Sequence, residues 1–149
     1  MMWTKFTGRA RRAVFFTQEE ASRLGKNDVG PEHLLLGLIR ERDTAASYVL
    51  EQIRVTPPAI LAAVEKASMP DDPRTGQDMR LKLEAKQAID LAYEETLRLN
   101  QSVINTGHVL LGILREGGTA TQILQGVGVT LDAARGALEK FGSEGNSEE

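Results

Sequence analysis

The chain has 149 residues, 41% of them hydrophobic and 26% charged, an ordinary globular composition with length enough for one domain and a real core. It has no cysteine, which excludes disulfides, thiolate metal sites and thiol nucleophiles and agrees with a reducing compartment. A formal net charge of −3 argues against a protein built mainly to hold nucleic acid phosphates.

The residues before Phe6 lead into the charged Arg9-Ala10-Arg11-Arg12 and not into a secretory apolar stretch, and no apolar run approaches membrane length. A cytoplasmic protein is therefore expected. From Phe6 to Leu24, small and apolar residues fall at Ala10, Ala13, Val14, Thr17, Ala21 and Leu24, the spacing of one face of a helix. A second helix is expected from Pro31 through His33-Leu34-Leu35-Leu36-Gly37-Leu38-Ile39-Arg40-Glu41, with proline suited to its first turn. A third follows the candidate cap Thr44 and carries Tyr48, Val49, Leu50 and Ile53. A fourth begins at Thr56-Pro57-Pro58 and carries Ile60, Leu61, Val64 and Ala67.

The order then repeats. His33 to Glu41 returns as His108-Val109-Leu110-Leu111-Gly112-Ile113-Leu114-Arg115-Glu116, a spacing of 75 residues, and the same shift carries the first helix face onto Ala85, Ala88, Ile89, Ala92, Thr96 and Leu99. Thr106 is expected to cap the second helix of this copy, Thr119 the third and Thr130 the fourth, with a one-residue deletion before the third. The predicted fold is all-α without a sheet: a tandem pseudo-twofold repeat of two four-helix units. Residues 1–141 make one domain, with repeat one at 4–67, a Pro-, Gly- and Asp-rich linker at 68–79 and repeat two at 80–141. The acidic tail, 142–149, is expected to be disordered because it has nothing to bury.

Gly37 and Gly112 stand mid-helix, where glycine costs up to about 1 kcal/mol relative to alanine, so close approach of another helix is expected at both. His33 and His108 lack the partners that zinc requires and are read as structural histidines bonding backbone near a helix start. No metal site and no catalytic residue is assigned. Gly25-Lys26, the sole Gly-Lys pair, has Glu20 and Asn27 where a phosphate-binding loop needs Gly and Ser or Thr, so no cofactor and no enzyme activity are expected. Lys5, Arg9, Arg11 and Arg12, near Trp3 and Phe6, keep open an alternative: a small helical nucleic-acid-binding protein.

Thr7 is a candidate cap of the first long helix, leaving the N–H groups of Gly8 and Arg9 free to meet an anion, while Glu32 stands in the first turn of the second helix. Were the packing to bring Thr7 and Glu32 together, one edge would offer phosphate donors and a carboxylate for a guanidinium. The copies differ at these positions, with Lys82 and Gly107 in repeat two.

The blocks Phe6-Thr7-Gly8-Arg9-Ala10, Gly30-Pro31-Glu32-His33-Leu34-Leu35-Leu36-Gly37-Leu38 and His108 to Glu116 resemble the Clp N-terminal repeat domain, closest to the ClpC kind, over about residues 4 to 141. The resemblance implies a non-catalytic module that recruits client proteins or adaptors to an ATP-driven unfoldase for proteolysis. It also implies phosphoarginine-marked proteins as ligands, with a glutamate holding the guanidinium and a threonine helping to hold the phosphate. Thr7 and Glu32 match in repeat one and neither matches in repeat two, so one site per chain is expected, made of Thr7, Gly8, Arg9 and Glu32. Pro31 stands where the family has threonine. No ATPase module follows the second repeat, which fits an excised domain and a stand-alone protein alike.

Overall fold

Two copies of one helical order account for the structure, a computed structural model that describes residues 2–72 and 79–149. A short 3₁₀ turn, Met2–Lys5, precedes α1 (Gly8–Arg23), α2 (Pro31–Arg40), α3 (Ala45–Ile53) and α4 (Pro57–Ala67). The second copy consists of α5 (Leu83–Arg98), α6 (Thr106–Glu116), α7 (Thr119–Gly126) and α8 (Leu131–Ser143). The first two helices of each copy match at an offset of 75 and the last two start at an offset of 74, as the deletion requires.

The stops match as well. Gly25 after α1 and Asn100 after α5 both adopt positive φ, 73° and 56°, the left-handed stop that glycine takes freely and asparagine tolerates. Two expected caps move by one residue. Asn105, not Thr106, caps α6, with its side chain accepting from the His108 N–H, and Gly118, not Thr119, precedes α7. Asparagine is at least as good an acceptor as threonine at that position, which leaves the Thr106 hydroxyl for other work.

The mid-helix glycines mark backbone contact. A Cβ on Gly37 would collide with the carbonyl oxygen of Ala13 on α1, and a Cβ on Gly112 with that of Ala88 on α5. Helices α1 and α2 therefore meet backbone to backbone, as do α5 and α6, and no residue with a side chain fits between them.

The two copies do not fold as separate bundles. Helix α3 packs on α6 and α8 of the other copy, α7 packs on α2 and α4, and α2 touches α6 across the middle. One continuous core results, containing Leu35, Leu36 and Ile60 from the first copy and Leu110, Leu111 and Leu124 from the second, all fully buried. Burial of such a side chain contributes roughly 1.5–3 kcal/mol, and here each copy contributes by filling the other's interior.

A small sheet corrects the expectation of none. Strand β1 (Asp28–Val29) pairs in parallel with β2 (Arg80–Leu81), and Phe6 forms an isolated parallel bridge with Ile104. Two residues per strand are too short to show in a periodicity. Part of the linker, 73–78, lies outside the described residues. Its start is anchored: Asp71 accepts from the Lys26 ammonium at 3.0 Å and from the Asn27 N–H at 2.8 Å.

The tail also departs from expectation. Helix α8 runs to Ser143, a turn with Gly145 at φ 82° follows, and the segment reaches back to the starts of α1, α3 and α6. It has little apolar surface to bury, and it is held by polar contacts instead.

Candidate functional site

Which helix ends meet is decided by the two parallel pairings. Val29 pairs with Leu81, and the equivalent residue 75 positions on, Ile104, pairs with Phe6. The next hydrogen bond continues each pairing: the Lys82 N–H donates to the Val29 carbonyl at 2.7 Å and the Thr7 N–H to the Ile104 carbonyl at 2.9 Å. The start of α1 is thereby stitched to the start of α6, and the start of α5 to the start of α2. Every site at these helix ends draws one half from each repeat.

The expected grouping of Thr7 with Glu32 is therefore corrected. Thr7 belongs with Thr106, and Glu32 belongs with Lys82 at the other junction. Sequence spacing placed both in repeat one, but the repeats exchange ends.

At the first junction three helix starts converge on one carboxylate, that of Glu148. One of its oxygens accepts from the Thr7 hydroxyl at 2.6 Å and from the Thr106 N–H at 2.8 Å. The other accepts from the Thr106 hydroxyl at 2.6 Å and from the Ala45 N–H at 2.9 Å. Ala45 and Thr106 are the first residues of α3 and α6, where backbone N–H groups lack helical partners and the helix dipole favours a negative charge. Both hydroxyls are oriented by what they accept. Thr7 Oγ1 accepts from the Ala10 N–H at 3.0 Å and Thr106 Oγ1 from the Ala46 N–H at 2.9 Å, so the single proton of each points at the carboxylate.

Thr7 and Thr106 are buried. The Arg9 N–H, at the start of α1, donates to a main-chain oxygen of Glu149 at 3.0 Å. The Arg9 guanidinium turns away and donates to the Arg42 carbonyl at 2.8 Å. Gly8 lies against the Glu149 carbonyl, with 3.6 Å left for a Cβ. Beside the carboxylate a recess of about 430 Å³ opens between the α5–α6 loop, the end of α8 and the tail. At Gly107, where repeat one has Glu32, a side chain would run into Leu138. This junction holds oxyanion donors, and the helix-start position that carries Glu32 in repeat one is a glycine here.

The second junction lacks the two threonine hydroxyls and one of the two N–H groups. Lys82 has the backbone geometry of Thr7, φ −65° and ψ 159° against −64° and 161°, but makes no side-chain cap. Pro31 replaces Thr106 and removes both its N–H and its hydroxyl. What remains is Glu32, half-buried, with an oxygen 3.8 Å from His33 Nδ1.

Both histidines act as caps. His33 Nδ1 accepts from the Gly30 N–H and His108 Nδ1 from the Asn105 N–H, each at 2.9 Å. Each is therefore neutral, with its proton on Nε2. Burial pushes His108 down to about 4 against the raising influence of Glu148 and Glu95. His33 is lowered by burial too, with Glu32 opposing. Among the described residues no cluster of three or more potential metal ligands occurs, and no helix is long and apolar enough to cross a membrane.

The basic cluster is largely engaged within the chain. Lys5 donates to the Tyr93 hydroxyl at 2.8 Å and lies over that ring, Arg12 is 3.6 Å from Glu41, and Arg9 is held as above.

Signals for Ala45, Thr106 and Glu148 were present in the sequence only singly, as a residue after a threonine, a helix-start threonine and an acidic tail. Nothing in spacing joins them.

Comparison with known proteins agrees with the duplicated fold. The family model of the Clp repeat (R) N-terminal domain matches residues 5–127 and 80–149. The chain is 39% identical over 136 residues to the chaperone protein ClpB of Oceanobacillus iheyensis and 39% identical over 140 residues to the negative regulator of genetic competence ClpC/MecB of Bacillus subtilis. Each match covers 91% of this chain and 17% of the relative, so the chain spans about a sixth of the curated relatives' length. Among solved structures, the N-terminal domain of ClpD from Arabidopsis thaliana superposes with a TM-score of 0.76 at 26% identity, covering 96% of this chain and 97% of that one. A ClpV N-domain in complex with a VipB peptide has the same fold, with a TM-score of 0.76 at 15% identity, covering 99% and 92%.

Proposed function

Since the chain belongs to the Clp repeat N-terminal domain family, we propose that it is a non-catalytic recognition module, cytoplasmic, recruiting client proteins or adaptors to a Clp-type ATP-driven unfoldase. The observation that carries the reading is the junction of α1, α3 and α6, where two threonine hydroxyls and two helix-start N–H groups, all four donating to the Glu148 carboxylate, form a receptor that suits an oxyanion on a partner protein. The ClpV N-domain's VipB peptide supports the idea that this fold presents a peptide-binding face. The engagement of Lys5, Arg9 and Arg12 inside the chain speaks against the nucleic-acid alternative.

Phosphoarginine recognition takes a different form from the one expected in repeat one. The phosphoryl group fits the Thr7–Thr106 junction, but a guanidinium there finds Gly107 and Leu138 in place of a carboxylate. Glu32 offers a carboxylate at the other junction, where Pro31 and Lys82 have removed the hydroxyl and N–H donors. Neither junction combines threonine hydroxyl donors with a helix-start carboxylate, so binding through either one is expected to be weaker than through a site that has both.

The role is tested by grafting residues 1–149 onto a ClpC-type unfoldase in place of its own N-domain and following ATP-dependent degradation of unfolded casein. Degradation faster than by the ring lacking an N-domain is expected. A rate equal to that of the truncated ring would overturn the recruiting role.

A further inference from the structure

Glu148 behaves at the first junction as a bound ligand behaves. Its carboxylate takes four hydrogen bonds, two from helix-start N–H groups of different helices and two from threonine hydroxyls that have no other direction in which to donate. The donors belong to the rigid parts of the fold. Thr7 is fixed by its cap and by the Ile104 carbonyl, and Thr106 is fully buried and bonded to α3. The carboxylate, by contrast, arrives on a segment beyond α8 whose neighbours Asn146 and Ser147 are exposed. The segment's other contacts with the earlier helices include Tyr48 donating to Glu144 at 2.8 Å and the Arg9 N–H donating to a main-chain oxygen of Glu149 at 3.0 Å, while the Glu144, Gly145 and Asn146 N–H groups turn back onto the end of α8.

We propose that residues 144–149 form a strap whose Glu148 carboxylate is a built-in ligand of the cradle made by Thr7, Ala45 and Thr106, so that an external oxyanion enters only by displacing it. The inference stands on the cradle's geometry and does not require the recruiting role. Its chemistry follows from the occupant. Donors spaced for both oxygens of a side-chain carboxylate also suit two oxygens of a phosphoryl group, so the ligand class is an oxyanion carried by a peptide side chain. The recess of about 430 Å³ beside Glu148, bordered by Asn105, Leu138 and Phe141, gives the rest of such a residue room to lie. An internal ligand lowers the apparent affinity for every external one by the fraction of time it occupies the site. It therefore sets a threshold, admitting a locally concentrated or multiply charged segment and excluding free small anions.

The cradle is read through its own amides. The 149-residue chain and Glu148→Ala are titrated with inorganic phosphate and, separately, with acetate, while the amide resonances of Ala45 and Thr106 are followed by NMR. In Glu148→Ala at least one anion is expected to shift both amides saturably, with a midpoint about tenfold lower than in the parent chain, the range expected when a modest internal competitor is removed. Saturation by acetate assigns the site to acidic side chains, and saturation by phosphate alone assigns it to phosphorylated ones. Equal midpoints in the two proteins would overturn the strap, and no saturable shift with either anion in Glu148→Ala would overturn the cradle as a ligand site. Glu148→Gln, which keeps the side-chain shape, carries the same readout if the alanine variant is misfolded. The grafted-unfoldase assay reads a different quantity: its failure leaves this result standing, whereas a cradle that takes no anion removes the observation on which the recruiting role rests without touching the degradation rate itself.

Discussion

Thr7 and Thr106, 99 residues apart in sequence, direct their hydroxyl protons at the two oxygens of a single carboxylate, each at 2.6 Å. The first caps the leading helix of repeat one and the second opens the second helix of repeat two. Their meeting makes the recognition site a property of the pair of repeats and not of either one. The equivalent positions Lys82 and Pro31 meet in the same way, through the Lys82–Val29 hydrogen bond, but carry none of the same side-chain chemistry.

This pairing predicts an energetic coupling. A double-mutant cycle on Thr7→Ala and Thr106→Ala, each of which removes a hydroxyl that donates to Glu148, should show non-additivity in urea stability of roughly 0.5 kcal/mol or more. Thr7→Ala with Glu32→Ala should add to within about 0.3–0.5 kcal/mol, because these residues sit at different junctions. Strong coupling in the second cycle would restore the grouping that sequence spacing implied.

The glycines allow a sharper contrast. Gly37→Ala and Gly112→Ala each place a Cβ against a backbone carbonyl of the neighbouring helix and are expected to destabilise by roughly 1–3 kcal/mol. Gly136→Ala, at an exposed position of α8 with open space around it, should stabilise by about 0.5–1 kcal/mol through helix propensity alone. Denaturant midpoints report both signs. An unchanged midpoint for Gly112→Ala would mean that α5 and α6 separate at little cost.

Stability should fall on mild acidification. His108 has an ordinary value of 6.5 that burial lowers to about 4, so the unfolded chain binds a proton that the folded chain refuses. The contribution is therefore complete above about pH 6.5 and declines as pH falls toward 4, reaching about 3 kcal/mol lost. His33 acts in the same direction. Urea midpoints taken between pH 7 and 5, before most carboxylates titrate, test this, and a flat profile over that interval would contradict a buried neutral His108.

A buried ion cluster supplies a fourth test. Glu95, 1% exposed, accepts from Arg135 at 2.8 and 2.9 Å, from Arg98 at 3.2 Å and from Arg115 at 3.1 Å. Burial raises its carboxyl, but the arginines, Arg135 foremost, outweigh this and leave it lowered. Arg135→Ala should cost about 1–3 kcal/mol by leaving a buried acceptor underpaired. Lys140→Ala, which breaks an exposed pair with Glu144, should cost at most about 1 kcal/mol. Thermal unfolding of the two variants distinguishes the cases.

Leu61, which stands in repeat one where Arg135 stands in repeat two, shows how far a repeat can be read from its partner. The helix was predictable from Ile60, Leu61 and Val64, because a 3.6-residue period records which face is buried. Glu20, the counterpart of Glu95, accepts from Arg23 and Arg40 as Glu95 does from Arg98 and Arg115. That Leu61 leaves it without a counterpart of Arg135 follows only when α4 is seen beside α1. In the same way, Thr7 and Glu32 could be chosen from the sequence as helix-start groups that suit charged ligands, but their separation could not.

The sequence by itself determined the eight helices, their order, the offset between copies, the close approach at Gly37 and Gly112 and the histidine caps. All of these are local or periodic consequences of side-chain size, capping chemistry and hydrophobic spacing. Tertiary structure decided that the repeats interlock, that two-residue strands stitch α1 to α6 and α5 to α2, and that Glu148 returns to the junction. A hydrophobic period fixes the face a helix buries but not the partner it is buried against. Two near-identical repeats offer each helix a choice of equivalent partners, and only packing in three dimensions, with each copy filling the other's interior, selects between them.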